Sequence, residues 1–190
     1  MNNHIKGLKA GYEYLLAYKI TVPIYDYTIE FCKRWVNYRS RTKDQMEQAA
    51  RSGMVNIAEG NKQLSLALYI KLVGIARGSQ EELLKDYVSF ARQNNLIIWP
   101  KEKAKREIRE IRLIWEEIQK YPTLPDSPSF PTLPYQQELA VNLMITLIKQ
   151  ANYLIDKLII SLEKKHTEEG GFSEKLLHKR ISFRNKNQKY

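Results

Sequence analysis

The chain of 190 residues is poor in the residues that most often carry chemistry, with one cysteine and three histidines. Cys32 alone cannot form a disulfide within the chain, which favours a reducing, cytoplasmic location. A catalytic thiol needs a histidine base, but His4, His166 and His178 all lie near the ends of the sequence. We therefore interpret Cys32 as a small core residue, and the sequence predicts no cofactor.

The common catalytic signatures are also absent. The sequence contains no G-x-S-x-G and no H-E-x-x-H, and Gly74-x-x-x-Gly78 lacks the GK[ST] ending of a phosphate-binding loop. Four carboxylates fall on neighbouring predicted helices: Glu59, Glu81, Glu82 and Asp86. A di-metal bundle site needs a Glu-x-x-His motif on each of two helices, and the predicted bundle helices contain no histidine. The sequence predicts a protein that is not an enzyme and holds no metal; a site built of carboxylates alone is the alternative.

No apolar run is long and uncharged enough for a membrane span. The most apolar segment, Leu139 to Leu162, is interrupted by polar and charged residues: Asn142, Lys149, Gln150, Asn152, Asp156 and Lys157. Charges in the middle of the segment favour a core helix over a membrane span. The first residues contain no uninterrupted apolar stretch of the kind found in signal peptides, so we expect neither export nor a membrane partner.

Positive charge, in contrast, is in surplus. The formal net charge is +10 and the isoelectric point is about 9.5. A surplus of this size attracts polyanions: nucleic acid first, then acidic proteins or anionic membranes. The alternative is that the charge serves only solubility.

The cations form three groups, which we call the connection, inserted and tail groups. The connection group is Lys33, Arg34, Arg39, Arg41 and Lys43; the inserted group is Lys101, Lys103, Lys105, Arg106 and Arg109; the tail group is Lys175, Lys179, Arg180, Arg184 and Lys186. We expect them to contact the phosphates of RNA or DNA without reading the bases. The alternative is an ordinary solvated surface, on which Glu102, Glu107 and Glu110 partly offset the inserted group.

Apolar residues recur at helical spacing in five segments, and no strand pattern is found. The predicted helices are Val22 to Tyr38, Thr42 or Lys43 to Glu59, a helix capped by Ser65 and ending near Asn94, Lys101 to Lys120, and about Tyr135 to Lys165. Five prolines between Tyr121 and Pro134 predict an extended surface connector, with Leu124 and Phe130 as anchors.

The predicted fold class is all-α: an up-down four-helix bundle with an extra helix and a proline-rich insertion before the last bundle helix. We assign residues 1–169 to one domain, with 100–134 as its insertion. Residues 170–190 are predicted to be a basic, flexible tail.

Small residues predict where the helices approach closely. In the stretch Glu47 to Gly60 they gather on one side of the helix, which lets another backbone come near. Gly74 and Gly78 predict a close crossing or a bend, because glycine inside a helix costs about 1 kcal/mol relative to alanine. The predicted core side of the helix after Ser65 is Leu68, Leu72, Ile75, Leu83, Tyr87 and Phe90.

A buried polar network is predicted beside these contacts. Its members are Arg51, Asn56, Glu59, Arg77, Glu82, Asn142 and Asn152. We expect Glu59 and Glu82 to pair with Arg51 or Arg77, and Asn56 to bond to Asn142 or Asn152. Such groups fix helix register when every member is satisfied.

The last predicted helix carries two apolar stripes. One is Ala140, Met144, Leu147, Ala151, Leu154 and Leu158; the other is Val141, Ile145, Ile148, Ile155 and Ile159. Either one stripe packs inside the chain and the other against a neighbouring subunit, or the helix is central and surrounded by its own chain. Both interpretations stay open at this point.

Two short motifs carry a family resemblance. NIAEG at Asn56 to Gly60, followed by IARGSQEEL at Ile75 to Leu83, resembles the bacterial four-helix-bundle proteins first noted in intervening sequences of 23S ribosomal RNA genes. The accessory protein of diversity-generating retroelements is similar to them. The resemblance covers roughly Tyr18 to Asn95. NLMITLIKQANYLIDKLI from Asn142 and EEGGF from Glu168 resemble a longer subgroup with a four-helix-bundle suffix.

The resemblance implies a four-helix bundle that assembles into a ring-like homopentamer with a basic, nucleic-acid-binding surface. It implies no enzymatic activity. For the retroelement accessory protein it also implies a reverse-transcriptase partner, but this chain departs from that protein in the segment Lys101 to Pro134 and in its basic tail. From the residues alone, the main alternative to nucleic-acid binding is a protein-interaction scaffold that uses the last helix and the proline segment.

Overall fold

The computed structural model describes residues 9–187, except for the side chains of Lys175, Lys186 and Asn187. Over this range the chain is helical and contains no strand, which confirms the all-α prediction. A short 3-10 helix, Gly11–Tyr14, precedes seven α-helices. They are α1 (Leu16–Trp35), α2 (Arg41–Asn61), α3 (Leu66–Gln93), α4 (Lys101–Glu107), α5 (Arg109–Lys120), α6 (Gln137–Glu169) and α7 (Phe172–Asn187).

Four of these helices form a closed bundle. Helix α1 contacts α2 and α6, and α3 contacts the same two helices from the other side. Short connections join α1 to α2 and α2 to α3, so consecutive helices run in opposite directions. This is the predicted up-down bundle, with α4, α5 and the proline segment inserted between its third and fourth helices.

Helix α1 begins earlier than predicted. Pro23 suggests a helix start near Val22, but the helix starts at Leu16 and Pro23 lies inside it. The extra turns bury Ala17 and Ile20, and this burial offsets the backbone hydrogen bond that the proline removes. The side chain of Lys19 is buried as well, and its Nζ donates to the carbonyls of Ile118 (2.9 Å) and Tyr121 (2.8 Å), which ties α1 to α5.

The prediction of a single helix from Lys101 to Lys120 is wrong, because the helix is interrupted at Ile108. This residue has an extended conformation, with φ −98° and ψ 96°. It is fully buried, as are Ala104 before it and Ile111 after it. The break lets α4 lie against α6 while α5 also reaches α1. We attribute it to packing, since no glycine or proline interrupts the segment.

The proline connector behaves as predicted. It is irregular between α5 and α6, and Leu124 and Phe130 are half-buried against the core. Leu133, which the sequence interpretation omitted, is completely buried. The hydroxyl of Tyr27 donates to the carbonyl of Pro131, which fixes the connector to α1.

The N-terminal part of helix α6 lies at the centre of the bundle. Residues 140–148 are buried on every side by the chain's own elements. In that half, the interpretation that the helix is surrounded by its own chain is therefore correct, and the second stripe has no face there for a neighbouring subunit. Farther along, Tyr153 and Ile160 are exposed.

The predicted tail is helical from Phe172 to Asn187, and its predicted flexibility remains untested. Gly170, with φ +73°, ends α6, and the backbone N–H of Gly171 donates to the Glu174 carboxylate at 2.7 Å as α7 begins. The described side chains of α7 after Gly171 are exposed. Residues 1–8 and 188–190, with His4 among them, lie outside the described residues. Among the helices of residues 9–187, none combines the length and apolarity needed to cross a membrane.

Candidate nucleic-acid interface

The close contact predicted for the Glu47 to Gly60 stretch is made with α3. A Cβ atom on Gly53 would lie 2.8 Å from Cδ of Gln80, which is closer than side chains pack. A Cβ atom on Gly60 would lie 2.6 Å from the ring of Tyr69. Both glycines are buried. The absence of side chains at these two positions therefore sets the spacing of α2 and α3.

Gly74 and Gly78 do not take part in such a contact. A Cβ atom on either would meet nothing within 4 Å. Leu68 and Ile75, which were predicted to line the core, are 42% and 44% exposed. Leu83, Tyr87 and Phe90 are buried, as predicted. In the first half of α3 the core side is instead formed by residues one step around the helix: Tyr69, Val73, Ala76 and Gln80. The outer face of α3 consequently exposes both glycines between apolar side chains.

The predicted polar network has different partners from those expected. Arg77 binds Asp156 on α6 (Nε to Oδ1, 2.9 Å) and Glu81 one turn along α3 (Nη1 to Oε2, 3.1 Å). Asn152 donates to the same Glu81 oxygen at 3.3 Å. The hydrogen bond from Arg77 is the main reason why the pKa of Glu81 lies below its ordinary value. The result is a bridge between α3 and α6 at the surface, where the carboxylates are more accessible than in a core network.

The other predicted members are separate. Asn56 donates to the carbonyl and the hydroxyl of Ser52 on its own helix, both at 2.9 Å. Asn142 accepts from the backbone N–H of Trp99 (2.7 Å) and donates to the carbonyl of Ile97, so it fastens the segment after α3 to α6. The charged members Arg51, Glu59 and Glu82 are exposed, and within residues 9–187 none forms an ion pair. The expected pairing fails because α2 turns Arg51 and Glu59 to solvent, and α3 does the same with Glu82.

Two buried amides have polar atoms without a hydrogen-bond partner. Both amide atoms of Gln80 and Oδ1 of Asn152 are in this state. Gln80 is completely buried, and its side chain lies against Gly53. Cys32 is buried too, as predicted, and burial raises the pKa of its thiol to about 12. The thiol therefore stays protonated at neutral pH. No group of three or more His, Cys, Asp or Glu side chains in the described range is arranged to hold a metal ion.

In the connection group, Arg34 has a structural role. Its guanidinium donates to the carbonyls of Leu133 (3.0 Å) and Pro134 (3.1 Å), pairs with Glu30, and lies 4.7 Å from the ring centroid of Tyr135. It thus fastens the start of α6 to α1. Lys43 pairs with Glu47 at 2.9 Å. The remaining members, Lys33, Arg39 and Arg41, are exposed, and none has a carboxylate partner among residues 9–187.

The cations of the inserted group are more accessible to solvent than those of the connection group. All five of its cations are exposed on or just after α4. Arg106 pairs with Glu107 (3.0 Å), and Lys103 lies over the ring of Trp99, with Nζ 4.2 Å from the centroid. Across the part of the chain that the structure describes, Lys101, Lys105 and Arg109 have no acidic partner.

The tail group lies on α7. Lys179, Arg180 and Arg184 are exposed around a shallow cleft of about 250 Å³, beside Leu176 and Phe183. The side chains of Lys175 and Lys186 lie outside the described residues, and the prediction for them remains untested.

The bundle brings two of the three groups to the same end. Arg34, at the end of α1, contacts the chain just before α6, and Trp99, just before α4, contacts Asn142 near the start of α6. Helix α7 follows the other end of α6, whose 33 residues span about 50 Å at 1.5 Å per residue. The connection and inserted groups therefore lie towards the end of the bundle where α6 begins, while the tail group is on the helix that follows the other end of α6.

Sequence reasoning missed a groove between α4, α5 and α6. It has a volume of about 580 Å³ and is lined by three aromatic residues and three lysines: Trp99, Trp115, Tyr153, Lys101, Lys105 and Lys149. No lining residue is acidic. The only signal in the sequence was that Trp99 and Trp115 flank the basic inserted segment. Lys149 and Tyr153 come from α6 and reach the groove only through the fold.

A family described as "23S rRNA-intervening sequence protein" matches residues 13–120. The matched part is more than half of the chain and extends beyond the range expected from the sequence motifs, so it includes α4 and α5. No curated protein and no solved structure gives a significant match. With the NIAEG and IARGSQEEL motifs on the adjacent α2 and α3 of a closed helical bundle, the family match leads to one conclusion: the chain belongs to the 23S rRNA-intervening sequence protein family.

Proposed function

We propose that this protein is a non-enzymatic, oligomeric helical bundle that binds RNA or DNA through its phosphates, without strong sequence specificity. The observation that carries the proposal is the set of exposed cations without acidic partners at one end of the bundle, in a chain with net charge +10. Lys33, Arg39 and Arg41 belong to it, together with Lys101, Lys105 and Arg109. The family description points to an RNA context in the cytoplasm.

Assembly of several copies is part of the proposal. The outer face of α3 exposes Leu68, Gly74, Ile75 and Gly78, with Lys71 among them. Small residues between apolar ones let a second helix approach closely. A ring of copies, with five as the number implied by the family resemblance, would repeat the cationic end and raise avidity for a polyanion. Mass measurement in solution, with and without nucleic acid, tests this part.

The central test is fluorescence anisotropy with short labelled RNA and DNA at several salt concentrations. Each phosphate contact contributes about −0.7 (single strands) to −0.9 (B-DNA) to the slope of log K against log salt concentration. We expect a variant with Lys33, Arg39 and Arg41 changed to Ala to bind more weakly and to have a slope smaller by up to about 2.

The matched control removes three cations that already face carboxylates: Lys85, Lys164 and Lys165. We expect a smaller loss of affinity in this control. Binding that does not weaken with salt, or an equal loss in both variants, would contradict the proposed interface.

A protein-interaction scaffold is the second candidate. The exposed apolar residues of α3, and Leu177, Ile181 and Phe183 on α7, favour it. Pull-down after nuclease treatment separates the two functions. A scaffold retains its partner, whereas a nucleic-acid-binding protein loses whatever was joined to it through RNA or DNA.

A further inference from the structure

We propose that the groove between α4, α5 and α6 binds an unpaired nucleotide of a single-stranded nucleic acid, with its base against the aromatic rings and its flanking phosphates on the lysines. The inference rests on the proposed function and extends it, because phosphate contacts alone would not use an aromatic groove. The groove, whose lining comes from residues 99–154, would make the protein bind single strands more tightly than duplexes.

The aromatic residues of the groove are held in place. Trp115 donates from Nε1 to Oε1 of Gln150 at 2.8 Å, and Trp99 donates from Nε1 to Oε1 of Glu138 at 2.8 Å. Both indoles are only partly buried. Their edges are thus bonded to α6, while part of each indole stays accessible. Because the Lys103 ammonium lies 4.2 Å from the centroid of Trp99, a planar ligand would stack on Trp115 or take the place of this lysine on Trp99. Stacking on such rings tolerates any base, because every base has a π-face.

Tyr153 supplies the most accessible ring. It is 61% exposed on α6, on the lining of the same groove. The ammonium of Lys157 lies 5.5 Å from the centroid of this ring. A base that lies on the ring, beside apolar lining such as Ile145 and Leu154, gains contact area. The exposure of Tyr153 also means that the side chain can be changed without disturbing the core.

Charge selects the ligand. Lys101 and Lys105 lie one turn apart on α4, and Lys149 faces them from α6. Within residues 9–187 these three lysines have no carboxylate partner. A groove of about 580 Å³ with three cations and no acid fits a planar anion with charge at its edges. A nucleotide within a strand meets both requirements, whereas an apolar peptide would leave the lysines unpaired.

The experiment compares four fluorescein-labelled ligands of equal length by anisotropy with the full chain: oligouridylate, oligodeoxyuridylate, an abasic strand and an RNA hairpin duplex. The abasic strand carries the same phosphates without bases. We expect the wild-type protein to bind the two base-containing strands more tightly than the abasic strand or the duplex. A difference between the first two ligands would identify RNA or DNA as the preferred source of the strand.

The decisive variant is Tyr153→Ala. Stacking on one aromatic side chain is worth about 1–3 kcal/mol per base, so the affinity for single strands should fall by about fivefold or more while the affinity for the abasic strand stays the same. Tyr153→Phe should restore binding, because it keeps the ring. The matched control is Tyr14→Ala, which removes an exposed tyrosine near the start of α1 and should change nothing.

A triple change of Lys101, Lys105 and Lys149 to Ala should weaken binding of every strand and lower the salt slope by up to about 2. If the wild type binds abasic and base-containing strands equally, and Tyr153→Ala has no effect, the groove inference is wrong although phosphate binding stands. If none of the four ligands binds, both the groove inference and the proposed function fail.

Discussion

Helix α3 packs against a glycine of α2 on one side and carries two glycines of its own on the other. The side facing α2 packs Gln80 onto Gly53, so tightly that a side chain on that glycine would overlap it. The outer side carries two glycines of its own, Gly74 and Gly78, and a side chain there would meet open space. Glycine spacing alone therefore does not identify a helix contact; what lies opposite the glycine decides.

The difference also separates structure from function. The inner side is closed within one chain and sets the distance between two bundle helices. The outer side has no partner from residues 9–187 and exposes Leu68 and Ile75 beside the glycines. It is the surface on which the proposed assembly depends, and changes there test assembly without disturbing the inner contact.

The largest effect should come from Gly53→Ala. The added methyl group would overlap the side chain of Gln80, which is completely buried. Overpacking of a core contact costs about 1–3 kcal/mol, and the gain in helix propensity of about 1 kcal/mol offsets part of it. We expect a net loss of stability, measured as a lower urea midpoint with an unchanged m-value.

Adding Gln80→Ala to that variant provides the control. Shortening the side chain opposite should make room for the methyl group, so the combined loss should be smaller than the sum of the single losses. If the two losses add, the methyl group does not meet Gln80 and the tight contact described above is wrong.

Gln80→Met should change the stability in the opposite direction, by raising the free energy of unfolding. The amide of Gln80 is buried with neither of its polar atoms bonded. An unsatisfied buried polar group costs about 1–3 kcal/mol, and methionine fills a similar volume without one. We expect higher stability by about 1–2 kcal/mol in urea unfolding. A loss of stability would mean that the amide has a partner, such as an internal water, and that the inner side is more polar than described.

Much of this arrangement could be predicted from the sequence. The helical spacing in α2, α3 and α6 gives their existence and ends within a few residues, because each has a long apolar pattern. The start of α1 was missed because Pro23 resembles a start signal and burial of Ile20 overrode it. The break at Ile108 has no glycine or proline to signal it. In both cases tertiary packing decided the outcome.

The candidate site was only partly predictable, for the same reason. The exposed cations of α4 follow from their run in the sequence. That Arg34 is occupied by two carbonyls, however, depends on the connector folding back onto α1. The groove likewise joins Trp99 to Tyr153, which lie far apart in the chain and meet only through packing of α4 on α6.

A smaller effect is expected on the outer side of α3. Gly74→Ala and Gly78→Ala each add a methyl group in open space inside a helix, which should raise the stability of the single chain by about 0.5–1 kcal/mol. Gly53→Ala should lower the stability and these two variants should raise it, so together they test directly the difference between the two sides of α3. Sedimentation velocity on the same variants reports on assembly. If copies pack on this face, the methyl groups should weaken association even as thermal stability at low concentration rises.

The smallest effect concerns the polar edge of α3, between its two sides. Arg77 holds the pKa of Glu81 below its ordinary value of 4.5, and the carboxylate also serves Asn152. Because the pKa is lower in the folded chain than in the unfolded chain, the stabilisation is present above pH 4.5 and is lost as the pH falls through the lower, folded value. The side chain of Glu81 is 39% exposed, so solvent screening limits the loss to about 1 kcal/mol or less. Urea unfolding at pH 7 and pH 3 should therefore show a smaller loss of stability in acid for Glu81→Gln than for the wild type.

The control is Glu82→Gln, at the next position and without a cationic partner in the described chain. It should lose as much stability in acid as the wild type. Equal acid sensitivity in both variants would mean that the hydrogen bond between Arg77 and Glu81 contributes nothing measurable to stability.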